Sequence, residues 1–394
     1  MNQGIATDQP APTNTAGRIN SLDVLRGLAA LMIFVVNIKM MANGFNHYGA
    51  RTLWKGEYDQ VIGYLHNLLV HGKFVTIFTA LFGAGLALLL ARENPVSIPI
   101  VLKRLFWLAV FGALHLIFIR EGDILVQYAL VGVIAILFVK MSASALLALG
   151  VAVQVALFVA GIPFPVQYGD APILWQSGPD MHLEVKRIML GTLADQVSAR
   201  IDTVHYYFVE LFLSGRGWLD KLGVMLFGMG LLKNGFLTGK LEPKTYLKLG
   251  LAGIASASLL VWYRLLVSPP LSETVLSALW ILHRFGGALA WSALTVGAVS
   301  IGWKANALSA VGRTAFTVYI MQSVIGLALF SSLGLGLFGQ LSLGELTIIT
   351  AFTFAVSLSA ATLWLSYFRF GPLEWLWRTL TYGERQTMRR SRVS

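Results

Sequence analysis

At 394 residues the chain is 56% hydrophobic and only 12% charged, and several apolar runs approach the roughly 20 residues of a bilayer crossing, which excludes an ordinary water-soluble domain. Its net charge of +11 does not signal nucleic acid, because the basic residues collect in the loops between apolar runs, as they do in membrane proteins. The absence of cysteine excludes disulfides and thiolate metal sites.

The apolar runs are long and continuous, so the expected fold class is all-α, a polytopic transmembrane helix bundle. Residues 1–17 are polar, with no basic stretch ahead of a short apolar core, and are expected to form a disordered tail and not a cleaved signal. About ten spans follow, at 22–42, 72–91, 100–119, 124–140, 143–161, 218–236, 247–267, 275–300, 315–337 and 344–368. They make residues 18–382 a single transmembrane domain, with residues 383–394 as a basic tail. An even number of spans puts both termini on one side. Assigning that side to the cytoplasm gives it seventeen Lys and Arg against ten opposite, the bias that the positive-inside rule predicts. Two external segments, 43–71 and 162–217, are long enough for structure of their own. In the second, Ile188, Leu190, Leu193, Val197, Ile201, Val204 and Phe208 recur at mostly three- or four-residue spacing, which suits a helix on the outer membrane surface or one capping the bundle. No internal repeat supports two inverted transporter halves.

Ionisable side chains inside a span are costly and mark candidate sites. The stretch from Arg104 to Gly132 consists of two apolar runs joined by Arg120-Glu121-Gly122-Asp123. Within it Arg104 and His115 lie roughly 20° apart around a helix and about 16 Å apart along it. His115 either hydrogen-bonds a neighbouring helix or acts as a base. Asp123 either caps the next span or orients His115 across the turn, with Gln127 one turn further on and Tyr128 beside it. In the eighth span His283 and Arg284 point roughly 100° apart, so one can face a cavity while the other takes a different partner. Arg264, near the end of the seventh span, suits snorkelling to the interface. Structural roles suffice elsewhere: Ser21 as an N-cap with an Asp23–Arg26 pair, Gly83-Ala84-Gly85 for close helix packing, and Trp375 and Trp377 after Pro372 as an aromatic anchor. No P-loop, GxGxxG, HExxH, Cys/His metal spacing or GxSxG elbow occurs, and no metal is expected.

Six stretches, in order, resemble the YeiB family of bacterial membrane proteins (domain of unknown function 418) over nearly the whole chain. They are SLDVLRG from Ser21, GKF from Gly72 with LFGAG from Leu81, GALH from Gly112 with GDILVQYALVG from Gly122, LGVMLFGM from Leu222, GRTAFTVYIMQS from Gly312 and FGPLEWLWRTLTY from Phe370. His71 stands where that pattern leads one to expect an acidic residue. The resemblance implies a multi-pass protein of the bacterial inner membrane. More distantly, the chain is similar to transmembrane acyltransferases of the acyltransferase-three type, which carry Arg-x10-His in the third span, as Arg104 and His115 do here. It is also similar to the lysosomal heparan-glucosaminide N-acetyltransferase type, which uses a histidine ahead of Trp-x-Gly; His47 before Trp54-Lys55-Gly56 matches this loosely.

What this resemblance implies is an acyltransferase-three-like bundle that moves an acyl group from cytoplasmic acyl-CoA or acetyl-CoA to an extracytoplasmic glycan, lipid or small metabolite. Lys103, Arg104 and Arg313 would then hold the donor phosphates, His115 would act as base with Asp123 fixing its tautomer, and Gln127, Tyr128, His283, Arg284 and His47 would face the acceptor. The alternative class is a small-solute transporter or exporter in which His115, His283 and Arg284 bind substrate or relay protons. The lipid bilayer is the partner that composition requires, and the sequence does not specify an oligomeric state.

Overall fold

The computed structural model describes residues 19–44, 53–90, 95–160, 179–213, 216–266 and 272–390, apart from the side chains of 179–181, 205–213, 216, 264–266 and 273. His47 and the side chain of Arg264 therefore lie outside the described residues. Among these residues the protein is all-α: α1 (Asn20–Asn43), α2 (Asp59–Leu69), α3 (Lys73–Leu90), α4 (Ile98–Phe118), α5 (Leu125–Ala135), α6 (Ala143–Val159), α7 (Pro179–Met189), α8 (Leu193–Leu213), α9 (Arg216–Lys233), α10 (Pro243–Leu266), α11 (Glu273–Ser300), α12 (Asn306–Arg313), α13 (Ala315–Phe330), α14 (Leu343–Tyr367) and α15 (Pro372–Tyr382).

Among the described residues five stretches are long and apolar enough to cross a membrane: α1, the run Asp59–Leu90 formed by α2 and α3, α4, most of α10, and α14. A sixth joins them if α12 and α13, bent by 83°, are taken as one broken span. This is a multi-pass helix bundle with fewer full-length crossings than the ten expected. Every expected stretch contains a helix, but Leu125–Phe138 and Ala143–Val159 are short. The α9 helix carries Arg216, Asp220, Lys221 and Lys233.

Glycine-mediated backbone contact holds the bundle together, as expected where lipid offers no hydrophobic drive between helices. A Cβ on Gly83 would collide with the Met225 carbonyl, and one on Gly228 with the Ala80 carbonyl, so α3 and α9 cross backbone to backbone. Gly85 faces open space, so of the expected glycine pair only Gly83 serves the contact. Gly27 and Gly312 lock α1 to α12 in the same way, against Leu308 and Asp23.

The bend between α12 and α13 is held by Glu374. Its Oε1 accepts the backbone N–H groups of Phe316 (2.8 Å) and Thr317 (3.1 Å), and its Oε2 accepts the Thr317 hydroxyl (2.6 Å). A carboxylate thus satisfies the free N–H groups that start α13 and complements its dipole. Ser21 is not the N-cap expected of it: helix α1 begins earlier, after Ile19, and the Ser21 hydroxyl donates to Leu237 O at 2.7 Å. The Asp23–Arg26 pair is present at 3.1 Å. In the segment 162–217, α8 packs on the end of α4. Arg200, fully buried, reaches from α8 to Phe118 O (3.3 Å) at the end of α4 and faces Glu121 at 3.8 Å.

Candidate functional site

His115 and Asp123 meet across the α4–α5 turn because Gly112 lets α5 begin against α4. A Cβ at Gly112 would sit 2.7 Å from Val126 N and 2.8 Å from Asp123 Oδ2. Asp123 performs both roles left open by the sequence. Its Oδ2 accepts the Val126 N–H at 2.8 Å and so caps α5, while Oδ1 lies 2.9 Å from His115 Nδ1. Both residues are buried, at 1% exposure, so His115 does not face lipid. A carboxylate accepts from Nδ1–H, which leaves Nε2 of a neutral ring with the lone pair. Nε2 has no hydrogen-bond partner among the described residues.

Three groups missed by the sequence reading complete this niche. Tyr319 of α13 lays its ring 5.1 Å from that of His115. Gln322, one turn along α13, is 1% exposed, and neither of its amide atoms has a partner among the described residues. Arg120 is 3% exposed; its Nη1 has no partner, Nη2 lies 3.5 Å from Met40 Sδ, and no carboxylate reaches it within ion-pair distance among the described residues. A buried amide and a buried guanidinium left unsatisfied each carry a cost that a bound ligand relieves. A lone Gln inside the apolar run of α13 was the available signal. Gln127 is half-buried on the α5 turn, whereas Tyr128 turns to α3, sharing a 2.7 Å hydrogen bond with the Thr79 hydroxyl between Phe78 and Phe82.

At the other end of α4, the Arg104 guanidinium stacks on Trp377 of α15 at 3.7 Å, and Trp377 Nε1–H donates to Arg104 O at 2.8 Å. Trp377 is thus a packing partner of α4 and not a free membrane anchor. Arg26 and Arg378 lie within Coulombic reach of Arg104, and Lys103 is exposed beside them. Arg313, half-buried, ends α12. From this cationic end toward His115 the space holds rings: Trp377 packs on Phe316 (5.9 Å), and Phe316 on Phe111 (5.4 Å), one turn before His115.

His283 and Arg284 form a separate cluster with protein partners. His283 Nδ1–H donates to Ala257 O at 2.7 Å, and its Nε2 lies 2.7 Å from Lys73 Nζ. Lys73 also donates to Asn67 O (3.1 Å) and His71 O (3.3 Å), which uses all three ammonium protons. Arg284 makes two 2.9 Å bonds to Asp220 and a 2.7 Å bond from Nε to Thr76 Oγ1. The pair points in two directions, as its offset requires, and ties α11 to α3, α9 and α10. Beyond it, a cavity of about 590 Å³ lies between α3, α6, α9, α10 and α11. It touches the face of α3 carrying Thr76, Ile77 and Ala80, opposite the face that meets Tyr128.

A family model described as a protein of unknown function (DUF418) matches residues 231–384. Over 389 residues the chain is 30% identical to the uncharacterized protein YeiB of Escherichia coli (strain K12), covering 92% of this chain and 95% of that protein. The chain belongs to the YeiB family. It is also 29% identical over 418 residues to the uncharacterized protein YxaH of Bacillus subtilis (strain 168), covering 94% and 96%. In this YeiB-family chain the resembling stretches converge in space. The first and fifth lock through Gly27 and Gly312, the third and fifth meet at His115 and Tyr319, and the fifth and sixth meet at Thr317 and Glu374.

Proposed function

We propose that this YeiB-family protein is a membrane-embedded acyltransferase that passes an acyl group from cytoplasmic acyl-CoA to an acceptor hydroxyl or amine on the far side. One observation carries it: a buried His115–Asp123 pair whose Nε2 is unpartnered and set among other unsatisfied polar groups. Nε2 takes the acceptor's proton as its oxygen or nitrogen attacks the thioester carbonyl. The tetrahedral intermediate then collapses, the C–S bond breaks, and the imidazolium returns the proton to the thiolate to give CoA–SH. The unpaired Arg120 cation suits the developing oxyanion or an anionic group of the acceptor. Lys103, Arg104 and Arg313 would hold the donor diphosphate, with Arg26 and Arg378 adding positive charge at Arg104 against the carboxylates of Glu374 and Asp23. For this reaction the helical stretches work as ten crossings in an acyltransferase-three-like bundle with both termini cytoplasmic, and Phe111 and Phe316 swing aside for the donor's arm.

A small-solute transporter would draw on His283 and Arg284. Three of the five Arg284 N–H groups are held by Asp220 and Thr76 and the His283 Nδ1–H by Ala257, the arrangement of a brace that solute binding would have to loosen. Purified protein incubated with labelled acetyl-CoA and a panel of amine and sugar acceptors, with water as the default acceptor, distinguishes the two. Free thiol should appear with the wild type and fall to background with His115→Gln. Equal release from both, or none from either, counts against acyl transfer.

A further inference from the structure

Residues 383–390, the start of the basic tail, fold back on the end of α14 as a strap. Gly383, at φ 76°, ends α15 in the left-handed region and lets the chain reverse. Two backbone hydrogen bonds then pin it, from Arg369 N–H to Met388 O (2.9 Å) and from Arg390 N–H to Tyr367 O (3.1 Å), with Phe368 and Arg389 facing each other in an antiparallel bridge. Trp375 Nε1–H of α15 donates to Gln386 O at 2.7 Å, so the strap is held from two helices.

Pinned this way, the strap encloses a groove of about 450 Å³ lined by Phe368, Arg385, Gln386, Thr387, Met388 and Arg389. Arg385 and Arg389 are exposed, and neither guanidinium makes a hydrogen bond, ion pair or ring contact among the described residues. Arg369 and Arg390 beside them are exposed and unpaired too. Against these four arginines the strap carries one carboxylate, Glu384, which forms no ion pair with any of them. Forked guanidinium donors with no acid to answer them suit an oxyanion, and a phosphate above all. The depth of the groove says which phosphate. Helix α14 has 25 residues, about 37 Å by helical rise, and so outruns a hydrocarbon core of roughly 30 Å. Its last turns present Leu363 and Tyr367, each 64% exposed, to lipid, and the groove begins at the next residue, Phe368, stacked on Trp364. Aromatic side chains at the end of a span mark the level of the headgroups, where a basic juxtamembrane segment meets lipid phosphate.

We infer that this groove binds the phosphate of an anionic phospholipid at Arg385 and Arg389, with the acyl chains alongside Leu363 and Tyr367 of α14. The site rests neither on acyl transfer nor on the orientation of the bundle. To test it, the full chain is reconstituted in bilayers of phosphatidylglycerol mixed with phosphatidylcholine, extracted in mild detergent and weighed by native mass spectrometry. The wild type should retain phosphatidylglycerol in preference to phosphatidylcholine. The double variant Arg385→Gln/Arg389→Gln should lower that preference about five-fold or more while unfolding at the same temperature. Lys244→Gln/Lys248→Gln, which removes the same charge from exposed positions on α10, should keep it. Equal loss from the two double variants, or no loss from the arginine pair, overturns the site. Inorganic phosphate that stabilises the wild type and not Arg385→Gln/Arg389→Gln in phosphatidylcholine alone, with no phosphatidylglycerol retained, overturns it in favour of a soluble anion.

Discussion

Asp123 binds the Val126 N–H with one oxygen and His115 with the other, so the residue that starts α5 also orients the candidate base. A base of this kind contributes about 10²- to 10⁴-fold. His115→Gln should therefore cut CoA release by that factor while the thermal transition moves only a few degrees; a folded variant with unchanged turnover would remove His115 from the chemistry. Arg120 separates stability from function more sharply. As a buried cation without a carboxylate it costs stability, so Arg120→Met should raise the unfolding free energy by on the order of 1 kcal/mol, seen as a higher unfolding temperature, and lower turnover. A variant less stable than wild type would show that Arg120 is structurally satisfied. The His115–Asp123 pairing was legible because eight residues across a charged turn bring two helix ends together. Gln322 and Tyr319 were not, because α13 meets the His115 turn across two hundred residues of chain and an apolar run with one amide in it looks like any other span.

Helices were legible wherever hydropathy was continuous, and their breaks were not. The expected crossing began at 315, and the 83° bend at Thr314 has no proline to announce it; a glutamate nearly sixty residues later holds it. Glu374→Ala removes three hydrogen bonds and leaves the Phe316 and Thr317 N–H groups unmet. It should cost about 1–3 kcal/mol in thermal or denaturant unfolding, and no loss would mean that the bend holds itself. The α3–α9 crossing gives a paired test. Gly228→Val must push α3 off its backbone contact and should abolish folded yield in detergent. Gly85→Ala meets nothing within 4 Å and should be neutral or slightly stabilising, and similar yields for the two would contradict the crossing.

Across the whole molecule, composition announced an all-α membrane bundle, while the number of crossings depends on helices that are short or carry charge, such as α5 and α9. Charge asymmetry was readable as a direction, seventeen basic residues against ten. A fluorescent protein fused to the C-terminus should accordingly light up inside the cell and an alkaline phosphatase fusion stay silent; the opposite pattern would reverse the bundle. Two of the buried cations proved to have protein partners: Lys73 lies 2.7 Å from His283, and Arg284 pairs with Asp220. Pairing of that kind depends on which helices meet, and hydropathy does not carry it. Among the unsatisfied buried groups, His115 Nε2, Gln322 and Arg120 Nη1 lie on α4, on the turn after it and on α13, whose Tyr319 meets His115, while Arg104 stands at the other end of α4. Acyl transfer should therefore cross the membrane between them. Proteoliposomes loaded with labelled acetyl-CoA, with the protein's cytoplasmic side inward and acceptor glycans or amines outside, test this directly. Labelled acyl product should accumulate outside with CoA left within, and only when His115 is intact. Intact acetyl-CoA inside and no labelled product outside, under conditions where the folded protein is present, would contradict it.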